Sequence, residues 1–204
     1  MATRLAAVVD ASAEVAATRA RSAKVEILAD LLRNAGPGEV AVCVGLLSGT
    51  PRQGRVGVGY ATVYGIDVPP AAEPSLTVAD VDRAIDEIAA DGGPGSATRR
   101  RQLLTELLGR ATEPEAEFVR RLLTGGLRQG ALAGVMADAV GKAAGVSAVL
   151  ARRALMLSGD LTRMAEIAIT GGDEGLRAVG LELFRPVLPM LASPGAGIAE
   201  AMAG

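Results

Sequence analysis

Apolar residues return at three- and four-residue intervals along most of this chain, and glycine, proline or a capping residue separates the runs. Across residues 1 to 34 the pattern predicts a short helix and then a long one. The long one carries a stripe of Val15, Ala16, Ile27, Leu28, Leu31 and Leu32 and stops at Asn34-Ala-Gly-Pro-Gly38. Glu39 to Leu47 reads as a buried helix, and residues 61 to 75, with Pro69, Pro70 and Pro74, as an exposed connection. Thr77 caps a helix to about Ala90, with Val78, Val81, Ile85 and Ile88 inward and Asp80, Asp82, Asp86 and Glu87 outward. After the break Asp91-Gly-Gly-Pro-Gly95, Ser96 or Thr98 caps the next helix, whose first turns carry Arg99, Arg100 and Arg101. Further on, Ser147 and Gly159-Asp160 open two more helices, and Gly171-Gly172 sets off a last short element.

The clearest pattern lies between Ala111 and Val140. Thr112 with Glu115 three residues on is a capping box, and Pro114 stands in the first turn, where its missing N–H costs nothing. Phe118, Leu122 and Leu123 then share one face, beside Arg120 and Arg121. Gly125-Gly126 ends that helix, and a second apolar run starts at Ala131 with Leu132, Val135, Met136, Ala139 and Val140. The corner between them, Gly-Gly-Leu-Arg-Gln-Gly, has little side-chain bulk, free backbone N–H groups and one cation, Arg128. Such a corner can approach an anion closely, and so can the start of the Arg99 helix, where cations opposing the helix dipole are better tolerated with an external anion present. Two bland readings stand beside this: a corner whose glycines let two helices touch, and arginines that form solvated helix faces.

Composition changes the picture in three ways. Half of the 204 residues are apolar but only two are Phe and two Tyr, so an Ala, Leu, Val and Ile core of closely packed helices is expected, an all-α fold. The chain lacks histidine and has one cysteine, Cys43 in the apolar run Val40-Ala-Val-Cys-Val. That removes Ser-His-Asp and Cys-His catalysis, the common zinc sites and a disulfide framework, and it leaves Cys43 as a buried inert thiol. Net charge is only −2, yet residues 93 to 130 hold 7 basic and 4 acidic residues while residues 1 to 92 hold 8 and 12. Cations therefore gather on the stretch with the two corners. Arg19, Arg21 and Lys24 form a smaller group that suits a solvated face better than a phosphate contact. Gly49 to Gly54 has phosphate-loop spacing, but Arg55 and Val56 replace the required Lys and Ser or Thr, and Gly57-Val-Gly59 lacks the third glycine of a dinucleotide site. No apolar run is long enough to span a membrane, so an intracellular, cytoplasmic protein is expected.

Three segments then resemble one family. Phe118-Val-Arg-Arg-Leu-Leu-Thr-Gly-Gly-Leu-Arg-Gln-Gly130 resembles the helix and Leu-Arg-x-Gly turn of ATP-dependent DNA ligases, in the bacterial, actinobacterial-looking form. Gly93-Pro-Gly-Ser-Ala-Thr-Arg-Arg100 is similar to their Gly-Ser-x-x-x-Lys-Lys element, and Arg185-Pro-Val-Leu-Pro-Met-Leu-Ala192 to the segment that opens their nucleotidyltransferase domain. The resemblance implies a compact multi-helix DNA-binding domain over residues 1–185 and the truncated start of the adenylation domain over 186–204. It implies non-sequence-specific binding of nicked duplex DNA through minor-groove phosphates and sugars. Ser96, Thr98, Arg99 and Arg100 would form one clamp, Gly125, Gly126, Arg128 and Gly130 the other. Arginine in place of lysine, and Gly126 where a cation often stands, depart from the family pattern. Neither Lys24, followed by Val-Glu-Ile, nor Lys142, followed by Ala-Ala-Gly, matches the family's Lys-x-Asp-Gly nucleophile. The chain is thus expected to be a fragment with no catalytic residue, cofactor site or metal site of its own. ATP, Mg2+ and the partner nucleotidyltransferase and OB-fold domains are implied for the full-length, nucleoid-associated enzyme. The alternative is an all-α interaction or scaffold domain whose arginines meet an acidic protein.

Overall fold

A computed structural model describes residues 2–36, 38–54, 56–127 and 133–188. Among them ten helices follow one another: α1 Leu5–Ala17, α2 Arg21–Arg33, α3 Val40–Ser48, α4 Tyr60–Tyr64, α5 Val78–Ala90, α6 Ser96–Gly109, α7 Glu113–Leu123, α8 Ala133–Ala144, α9 Ala148–Ser158 and α10 Leu161–Ala178. No strand occurs among the described residues; one isolated antiparallel bridge joins Arg4 to Thr77. The all-α expectation therefore holds. No described helix is long and apolar enough to cross a membrane.

Helix α8 is the hub. Its residues from Val135 to Val140 are buried all round except at Asp138, as a helix enclosed by others requires. It packs on α2, α9 and α10, and α10 in turn packs on α3. Small residues permit this closeness: a Cβ on Gly141 would come within 3.4 Å of the Val146 carbonyl oxygen. A second group, α5 with α6 and α1 with α7, carries the two corners, and one continuous core runs through both groups. Cys43 is fully buried in it, and burial, aided by nearby Glu39, pushes its thiol up to about 12, so it is the inert thiol expected.

The two capping residues with an acid three positions on were placed correctly. Thr77 accepts from the Asp80 N–H at 3.1 Å while Asp80 accepts from the Thr77 N–H at 3.0 Å. Glu115, 1% exposed, accepts from the Thr112 N–H and hydroxyl at 2.9 and 2.8 Å. Three expectations need correction. Residues 1 to 34 form two helices of 13 residues each, because Thr18 to Ala20 turn extended and the Thr18 hydroxyl accepts from the Ala20 N–H, with no glycine or proline to mark the place. The connection after Gly59 contains the one-turn helix α4. The acidic face of α5 is also no bare surface. Asp82 binds Arg52 at 2.7 and 2.9 Å and Gln53 at 2.8 Å, and Asp86 binds both as well, so these acids hold the loop that follows α3. The expected break at Gly171-Gly172 is present as a non-helical Gly172 inside α10.

The Thr77 hydroxyl and N–H, followed by Arg110 and Arg83, outweigh partial burial and hold the Asp80 carboxyl below its usual 3.8. The stability this supplies is complete above that value and is lost as pH falls through it toward the folded-state value. Urea midpoints taken down through the carboxylate range should therefore drop, and Asp80→Asn should lower the midpoint at neutral pH and flatten part of that drop. An unchanged pH profile in the variant would remove Asp80 from the account.

Candidate nucleic-acid interface

The first corner is built by glycine. Gly95, at φ 80°, is the N-cap of α6, and neither Ser96 nor Thr98 caps the helix with its side chain. Ser96 is instead the first helical residue, its N–H bonded to the Gly93 carbonyl at 3.2 Å, and the Thr98 and Arg99 N–H groups both turn to the Gly95 carbonyl. The hydroxyl-cap expectation fails because two left-handed glycines, Gly93 and Gly95, bend the chain so tightly that backbone carbonyls do the capping. Thr98 and Arg99 are exposed, and Ser96 and Arg100 are half-buried.

The three arginines that follow fold back over the corner. Arg99 binds the Asp91 carboxylate at 2.6 and 3.0 Å and also reaches the Gly92 and Pro94 carbonyls at 3.2 Å. Arg100 donates to the Gly57 carbonyl at 3.1 Å and to the Asp91 carbonyl, and Arg101 to the Gly65 carbonyl at 2.7 Å. Carbonyl partners orient a guanidinium without cancelling its charge. Among the described residues Arg100 and Arg101 have no carboxylate within 4 Å, whereas Arg99 has an acid beside it.

The second corner closes α7. Gly125 takes φ 71°, the Gly126 N–H returns to the Arg121 carbonyl at 2.8 Å and the Gly125 N–H to Leu122 at 3.3 Å, a Schellman ending. The N–H groups of Gly125 and Gly126 are thus spent on the helix, not free for an anion as the sequence suggested. What the glycines do provide is access. Both are exposed, a Cβ on Gly125 would meet nothing within 4 Å, and one on Gly126 would meet only ordinary contacts at 3.7 Å or more. This also argues against the corner being a packing device. Arg121 lies exposed and donates to the Gly126 carbonyl at 3.2 Å. Arg128 and Gly130 lie outside the described residues.

One loop touches both corners. At its start a Cβ on Gly49 would sit 3.1 Å from the Leu127 carbonyl oxygen; near its end one on Gly57 would sit 3.0 Å from Arg100. Both glycines have positive φ, and Arg52 and Gln53 anchor the middle of the loop on α5. Helix α4 follows and contacts both α6 and α7. Its Tyr60 and Tyr64 rings stack with centroids 4.4 Å apart, Tyr60 being 68% exposed. Sequence reasoning missed this pair, although the i, i+4 spacing of two of the chain's four aromatics was the signal available. Among the described residues, the ion pairs within 4 Å do not include Arg100, Arg101, Arg120 or Arg121. Both corners therefore present positive charge with no carboxylate within 4 Å among the described residues.

The family described as DNA ligase N terminus matches residues 61–141, a stretch that includes both corners. A protein of Nocardia farcinica named "Probable DNA ligase" is 53% identical over 195 residues, 96% of this chain and 37% of that protein. The "Probable DNA ligase" of Saccharopolyspora erythraea is 53% identical over 97% of this chain and 39% of its own length. That of Mycolicibacterium gilvum is 51% identical over 96% and 38%. The chain thus spans less than two fifths of these relatives' length.

Proposed function

Because this chain belongs to the family of DNA ligase N-terminal regions, we propose that it grips double-stranded DNA at a nick and presents the break to the rest of a DNA ligase. Residues 1–185 form the DNA-binding unit and 186–204 begin the adenylation domain. The full-length enzyme, with nucleotidyltransferase and OB-fold domains that bind ATP and Mg2+, joins the 3′-hydroxyl to the 5′-phosphate in replication, repair or recombination. It works in the cytoplasm on the nucleoid.

The observation that carries this reading is the pair of exposed glycine corners joined through one loop and furnished with Arg100, Arg101, Arg120 and Arg121, which have no acid partner among the described residues. Phosphate contacts need such cations and no base-reading group, which suits an enzyme that must act wherever a nick occurs. Arg100 and Arg101 serve one strand through the first corner; Arg120, Arg121 and Arg128 serve the other through the second. The glycines let sugars approach the backbone. Ser96 and Thr98 donate their hydroxyls to phosphate oxygens, since the helix does not use them as caps. Arg99, paired with Asp91, mainly shapes its corner. The stacked tyrosines offer an apolar face to deoxyribose between the two.

Fluorescence anisotropy on nicked duplex across a salt series tests the reading. Affinity should fall steeply with salt. Gly126→Leu fills open space at ordinary contact distance, so stability should change by no more than about 0.5 kcal/mol while nicked-duplex affinity falls about tenfold or more. Wild-type binding that ignores salt, or full affinity in the leucine variant, would count against the two-corner grip.

A further inference from the structure

We infer that the turn carrying Leu181, Leu183 and Phe184 is the seam on which the catalytic part of the full-length ligase packs, an inference that rests on the ligase reading above. The chain has two phenylalanines and treats them oppositely: Phe118 is 5% exposed in the core, whereas Phe184 is 103% exposed and Leu183 90%. Phe184 is also the only described non-glycine residue with positive φ, at 63°. A bulky side chain avoids that conformation, and such strain persists only where the surroundings impose it.

Here they do impose it. The Arg185 N–H returns to the Glu182 carbonyl at 3.2 Å, closing the turn. Arg163 at 2.6 Å and Arg185 at 3.1 Å hold the Glu182 carboxylate from two sides. The Arg185 guanidinium also donates to the Ser158 carbonyl at 3.0 Å, and the Leu188 N–H to Met156 at 3.0 Å, so the turn is moored to the end of α9. The result is a fixed apolar tip within a charged rim, the anatomy of an interface core, displayed where nothing in the described chain covers it.

The occupant follows from lengths. The matched family is an N terminus and the chain spans 37 to 39% of its relatives, so the larger part of such a protein comes after the matched region. The turn stands at the C-terminal side of α10, the last helix among the described residues, on the side where that following part of such a protein is tethered and its effective concentration is high.

The test compares the full-length ligase containing this chain with its Leu183→Ser/Phe184→Ser variant and with Phe184→Gly, which removes the ring and relieves the backbone strain. Three quantities are read: nick-sealing kcat/KM, enzyme adenylation by ATP, and hydrogen exchange of residues 181 to 185 in the full-length protein against the 204-residue chain. Expected are a fall in sealing of tenfold or more in both variants with adenylation unchanged. The 204-residue chain should keep its nicked-duplex affinity in both variants, its melting temperature should not fall with Phe184→Gly, and the turn should exchange more slowly in the full-length protein. Sealing undiminished in both variants, or equal exchange in the two contexts, overturns the seam. A concentration-dependent dimer that the variants abolish overturns it too, by assigning the tip to a second copy. Wild-type enzyme that seals no nick defeats the ligase reading instead, and the exchange comparison still judges the seam.

Discussion

Reversing Arg120 and Arg121 together to glutamate should lower affinity for nicked duplex on the order of 100-fold at moderate salt and flatten the salt dependence by about two phosphate contacts. The two lie in the last turn of α7, one turn before the exposed glycines, and neither has a carboxylate within ion-pair range among the described residues. Among the described residues, the contact their guanidinium groups make is that of Arg121 with the Gly126 carbonyl. Acids near a helix C-terminus cost about 0.3–1 kcal/mol each, so circular dichroism should hold and the melting temperature should fall by only a few degrees. Unchanged binding in a folded variant would mean that DNA does not pass over the second corner. Unchanged binding after Arg100→Gln/Arg101→Gln as well would return the arginines to the role of solvated faces.

Phe118→Ala has the opposite signature. Its ring is 5% exposed on the inner face of that same helix, among buried Ala116, Val119 and Leu122. Truncating a buried phenylalanine removes its transfer energy and leaves a cavity, about 3–5 kcal/mol in all. At roughly 2–4 °C per kcal/mol for a chain of this size, the melting temperature should fall by roughly 6–20 °C. DNA affinity measured below that temperature should survive, because the arginines on the outer face are untouched. A thermal shift of only a degree or two would mean that the α7 packing is wrong; loss of binding without loss of stability would mean that the ring itself faces the ligand. The pair of experiments thus separates the two faces of one helix.

Much of this could be read from the chain. The capping box at Thr112 and the cap at Thr77 were legible because the bonds are local, although Asp80 as the reciprocal partner of Thr77 emerged only in the structure. The helix end at Gly125 was legible because only glycine takes the left-handed turn without strain, whereas Gly159, read as part of the next helix's start, also closes α9 in the left-handed conformation. The break at Thr18 to Ala20 was not, since an alanine-rich stretch continues as a helix unless packing stops it, and α1 and α2 pack on each other. Nor was the use of the corner N–H groups, because a glycine pair that ends a helix and one that binds an anion have the same sequence.

By itself, the sequence determined the kind of fold, the places where most helices begin and end, and the two basic stretches, since all of these depend on neighbours a few residues apart. Only the tertiary structure decided which charges remain available. Asp82 and Asp86 take Arg52, Asp91 takes Arg99, and backbone carbonyls take Arg100 and Arg101 without neutralising them. It also joined the two corners through the loop from Gly49 to Gly57 and left Phe184 in solvent while Phe118 went into the core. The physical reason is distance: a charge or a ring has its role set by what lies within a few ångströms, and here those neighbours come from segments tens of residues away in the chain.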